Sequence, residues 1–183
     1  MSEVVPKLFV GVGNVLQHDD GVGVRAAEIM SHLPLPDDIE VYDAGTGSMD
    51  LPCILNGREL VIVVDALQAN APPGAVFRMS PDEIRPFVKT GFSLHDLHLL
   101  DALEELKLLG LAPRRVIIFG VQVDDVSSGL GLSEPVEAGL QLVLEKVCEE
   151  LGLSSDILEQ APTGSAWLTY KRDTERVSSC KSH

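Results

Sequence analysis

Leu60-Val-Ile-Val-Val64 is an unbroken apolar run rich in β-branched residues, closed by Asp65. A strand with one face in water alternates apolar and polar positions, so a run without alternation requires cover on both faces. Short runs at Lys7 to Val12, Glu40 to Asp43 and Arg115 to Val121 read the same way. The segments between them carry helical spacing: Val22, Ala26, Ile29 and Leu33 within Gly21 to Leu33, and leucines at 94, 97, 100, 103 and 106 within Leu94 to Leu109. Ser133 to Leu151 adds a third helix, with Val136, Leu140, Val143, Leu144 and Val147 on one side. This alternation predicts a single-domain α/β protein, a three-layer arrangement with a mostly parallel sheet flanked by helices. Ser93 and Ser133 are the expected helix starts, and Gly74 to Met79, preceded by Pro72 and Pro73, the expected edge strand.

The chain has 183 residues, enough for one domain over residues 1–152; from Leu153 the apolar period fades into a polar tail, 153–183, expected to be peripheral. Its formal charge of −14 opposes nonspecific binding to nucleic acid and to anionic membrane. The cysteines, Cys53, Cys148 and Cys180, are too scattered for a zinc knuckle or a disulfide framework. With no basic and apolar leader and no run approaching the ~18 residues of a membrane span, a cytoplasmic location without membrane insertion is expected.

Open parallel sheets place their sites beyond the carboxyl ends of the strands. There the sequence gathers acids: Asp19 and Asp20 after the first run, Asp43 after the second, Asp65 after the third. Taken singly, Asp20 reads as a helix N-cap, Asp19 as a solvated loop acid and Asp43 as part of an Asx-stabilised turn. Asp65 is different, because a charge closing a buried strand needs a partner. His95 falls in the first turn of a helix, whose positive end disfavours imidazolium and keeps the ring in its metal-binding form; His98, one turn on, reads as a surface or core residue. Asp20, Asp65 and His95 together form an incomplete shell of hard oxygens and borderline nitrogen, suited to Zn, Ni, Co or Mn, with positions open for water or substrate.

The stretch Gly11-Val-Gly-Asn-Val-Leu-Gln-His-Asp-Asp20-Gly-Val-Gly23, with Asp43-Ala-Gly-Thr46, Asp65-Ala66 and Ser-Leu-His95-Asp-Leu, resembles the nickel-iron hydrogenase maturation endopeptidases. The likeness runs from about Phe9 to about Leu151. It implies a twisted, mostly parallel sheet of the phosphorylase/hydrolase-like kind, and an endopeptidase that removes the C-terminal extension of a hydrogenase large-subunit precursor. It also implies that Asp20, Asp65 and His95 contact nickel carried by that substrate, a position other metals such as Zn or Cd could occupy. Two departures stand out: Asp20 is one methylene shorter than the Glu of some members, and Ala44 replaces a glycine of the family's Asp-Gly-Gly-Thr turn.

Neither GxSxG nor HExxH is present, and no Ser/His/Asp or Cys/His arrangement emerges from the motifs. A bound metal could polarise the scissile carbonyl or activate a water; the general base is left unassigned, with Asp43 a weak candidate. Alternatives are a metal-dependent amidase of other specificity and a receiver-like signalling domain, the latter lacking its lysine after the Arg115 to Val121 strand. A dinucleotide site is disfavoured, because Leu16 stands where GxGxxG needs its third glycine.

Overall fold

The computed structural model describes residues 4–46, 50–88 and 94–161, with backbone alone for 85–88 and 94–97. A five-stranded sheet is built from β1 (Lys7–Val12), β2 (Ile39–Gly45), β3 (Leu60–Leu67), β4 (Val76–Met79) and β5 (Arg115–Gln122). Its order is β2-β1-β3-β5-β4, with every pairing parallel except that of the edge strand β4 on β5. The helices are α1 (Val22–Ser31), α2 (Leu51–Leu55), α3 (Pro81–Val88), α4 (Leu94–Leu108) and α5 (Glu134–Leu151).

The unbroken apolar runs divide by parity between the two sides of the sheet. Phe9, Ile62, Val64 and Phe119 join α1 and α5 in one buried cluster, through Ala26, Met30, Val143 and Leu144 among others. Leu8, Val10, Val61, Val63 and Ile118 join α2, α3 and α4 in the second, through Leu55, Ile84, Leu99, Leu103 and Leu106. The expected three layers are therefore present, and the absence of polar alternation in β3 has its cause in helical cover on both faces.

Parallel strands fix the direction of the connecting helices. At the amino edge of the sheet, the chain leaving α4 meets the chain entering β3: Leu111 accepts from the Gly57 amide, and the Arg114 amide donates to the Arg58 carbonyl. Arg58, buried there, donates to the Ile54 and Val5 carbonyls and pairs with Glu40 at 2.7 Å. Since α4 ends at the amino edge, it begins at the carboxyl edge.

Sequence and structure differ in detail. β3 continues through Ala66 and Leu67, both buried, so Asp65 lies within the strand rather than closing it. Ser133 does sit at the N-cap of α5 in extended backbone, but its side chain does not cap the helix. The cap expected at Ser93 lies outside the described residues. Beyond α5, a short 3-10 turn (Ser155–Gln160) follows, and Leu153, Ile157, Leu158 and Ala161 pack against the α1 and α5 cluster.

Candidate active site

The glycine-rich loop leaves β1 and makes a 3-10 turn, His18–Gly21, before α1. Two glycines make this compact path possible. A Cβ on Gly13, whose φ is +144°, would meet the Asp20 carbonyl oxygen at 1.9 Å. On Gly23 it would meet the Val12 and Val64 carbonyl oxygens at 2.1 and 2.2 Å, so only glycine lets α1 start against the ends of β1 and β3. The 3-10 turn consequently packs on β3, the strand that carries Asp65.

Asp20 is half-buried, and its Oδ2 accepts the Asn14 amide at 3.1 Å. It is not the helix cap: Gly21 occupies that position, with no side-chain cap bond. Asp65 is only 3% exposed, and its Oδ1 accepts the Ala66 amide at 2.8 Å. By parity it continues the row of Val61 and Val63, the face covered by α4. His95 is the second residue of α4, at the carboxyl edge, and its side chain lies outside the described residues. Topology thus brings Asp20, Asp65 and the start of α4 to one edge of the sheet. No cluster of three or more metal-ligating side chains occurs among the described residues, which exclude the His95 imidazole. His98, read as a surface or core residue, is exposed.

Asp43 pairs with Gly11 across β1 and β2, and its Oδ1 accepts the Gly45 amide at 2.9 Å, which supports the turn reading. Ala44 lies in β2 with its methyl group in the α4-side core, so a side chain is accommodated at this departure from the family's glycine. Asp43 also lines a cleft of about 510 Å³ together with Val15, His18, Gly21 and Leu130.

Asp19 departs most from its sequence reading. It is fully buried, 0% exposed, rather than solvated. Its Oδ1 accepts the Ser133 amide at 2.6 Å, and its Oδ2 accepts the amides of Asp124 and Asp125 and the Ser133 hydroxyl, each at 2.9 Å. Burial opposes the ionised form, but the hydrogen bonds from Ser133, Asp125 and Asp124 outweigh it and hold the carboxyl below its ordinary range. The Ser133 hydroxyl is thereby diverted from the helix it was expected to cap. No local sequence signal marks these partners, because they lie 105 to 114 residues downstream.

A buried strand carboxylate, a half-buried loop carboxylate and a histidine-bearing helix start form the setting in which comparison with known proteins becomes informative. Residues 24–150 match the family model described as hydrogenase maturation protease. The chain belongs to the hydrogenase maturation protease family. It is 33% identical over 147 residues to the hydrogenase 2 maturation protease of Escherichia coli, spanning 79% of this chain and 89% of that one. The structure of the hydrogenase maturating endopeptidase HybD from E. coli superposes with a TM-score of 0.74 at 31% identity, covering 81% of this chain and 94% of that chain. A [NiFe] hydrogenase maturation protease HybD from Thermococcus kodakarensis matches with a TM-score of 0.65 at 28% identity, over 79% and 97% of the two chains. Membership of this protease family confirms the fold and displaces the receiver-like alternative. No helix among the described residues is long and apolar enough to cross a membrane.

Proposed function

We propose that this protein is an endopeptidase that removes the C-terminal extension of a nickel-iron hydrogenase large-subunit precursor once nickel has been inserted. The observation that carries the reading is the buried carboxylate of Asp65 at the carboxyl edge that also bears Asp20 and the start of α4, in a chain of the hydrogenase maturation protease family. A buried carboxylate is stabilised by a cation or by hydrogen-bond donors, and an oxygen-rich set with one imidazole suits a borderline divalent metal.

In this reading Asp20, Asp65 and His95 contact nickel that belongs to the substrate, which supplies the rest of the coordination shell. The metal, when present, polarises the scissile carbonyl or the attacking water. The protein's contribution is positioning: α4 offers the imidazole from the positive end of its dipole, which disfavours imidazolium, and the glycine-rich turn fixes Asp20. The general base is left unassigned; Asp43, which lines a cleft walled by α1, is the one candidate the sequence offers. Zn or Cd would occupy the same ligands in the absence of substrate.

The reading is tested by incubating the protein with nickel-loaded precursor and, separately, with nickel-free precursor, and following loss of the C-terminal peptide by mass spectrometry. Cleavage of the loaded form alone is expected. Equal cleavage of both would overturn the metal-reading mechanism, and cleavage of neither would overturn the assignment of substrate.

A further inference from the structure

The acidic pair of the glycine-rich turn divides its labour. Asp20 points its carboxylate back at the Asn14 amide, which also donates to the Asp20 carbonyl at 3.1 Å. Asp19, one peptide bond away, is buried, and its carboxylate accepts hydrogen bonds from the loop between β5 and α5. The backbone reinforces this junction: the amide of Asp19 donates to Asp125, that of His18 to Gly129, and that of Gly129 to Leu16.

We propose that Asp19 is a positioning residue for Asp20: by accepting four hydrogen bonds from Asp124, Asp125 and Ser133, its buried carboxylate fixes the turn from which Asp20 reaches the site. The inference rests on the reading of Asp20 as a contact to the substrate's metal. Its geometric content is that the two residues share a single 3-10 turn, so any displacement of the Asp19 backbone carries Asp20 with it. A neutral amide in place of the carboxylate would present N–H groups to N–H donors and could not accept at all four points. A hydrophobic residue would leave those donors unsatisfied.

The Asn14 amide is the natural reporter, because its hydrogen bonds end on Asp20 and not on Asp19. Amide hydrogen exchange on the full-length protein is therefore compared between the wild type and Asp19→Asn. Faster exchange, by about tenfold or more, is expected at Asp124, Asp125 and Ser133 and also at Asn14, with Ile62 and Ile118 in the central strands unchanged. With nickel-loaded precursor, kcat is expected to fall by about 10 to 100-fold, as when outer-shell partners of metal ligands are removed, with KM changed by less than about threefold. Ser133→Ala removes only the hydroxyl donor and should give the same pattern more weakly, which decides the matter if Asp19→Asn fails to fold. Wild-type exchange at Asn14 and wild-type kcat, alongside faster exchange at Asp124, Asp125 and Ser133, would overturn the proposal and leave Asp19 as a loop tie alone. If the wild-type protein processes no precursor, the proposed function fails, and exchange at Asn14 still decides whether Asp19 positions Asp20.

Discussion

Asp20, half-buried in its loop, and Asp65, buried within β3, should both be needed for processing. Asp65→Asn preserves shape within a buried strand while removing the charge, so processing should fall by about 100-fold or more with the circular dichroism spectrum retained. Asp20→Ala and His95→Ala should do the same, and calorimetric titration with Zn should show weakened binding in all three. Asp19 bears on stability as well. Because its folded pKa lies below that of an unfolded aspartate, about 3.9, its stabilisation is fully present above that value and is lost as pH falls through the lower folded value. Urea midpoints measured between about pH 5 and pH 2 should therefore decline less steeply for Asp19→Asn than for the wild type. The burial of Asp65 was legible in the sequence, because it follows a run that must be buried, and the glycine motif marks the loop that carries Asp20. The burial of Asp19 was not legible, since it arises from donors more than a hundred residues away.

The elements differ in how directly local sequence specifies them. β1, β5 and the three long helices stand close to where their apolar spacing puts them, and β4 is an edge strand as Pro72 and Pro73 suggest, its antiparallel direction being seen only in the structure. The two short helices were not legible: α2 has five residues, with Pro52 in its first turn, and α3 contains Pro86, which reads as a breaker. Their formation is a tertiary effect, since Leu51, Leu55 and Ile84 are buried against the strands and α4. α5 packs on the opposite face of the sheet from α4, the helix that carries His95. Leu144→Ala, at a position 2% exposed, should lower unfolding stability by about 2 to 5 kcal/mol. Processing per folded molecule, measured well below the melting temperature, should be unchanged, because the cavity would open on the far layer.

At the scale of the whole molecule, one sheet is the shared floor of both hydrophobic clusters, so neither can melt and leave the other its full contacts. Thermal unfolding followed by far-ultraviolet circular dichroism and by methyl resonances of Val63 and Val143, one from each cluster, should give coincident transitions. Separate midpoints would show that the two layers unfold independently. The order in which the chain is made adds a constraint of its own. The turn bearing Asp20 leaves the ribosome more than a hundred residues ahead of Asp124, Asp125 and Ser133, which hold its neighbour. A nascent chain therefore carries its acidic loop without the clasp until the segment between β5 and α5 has emerged and folded back onto it.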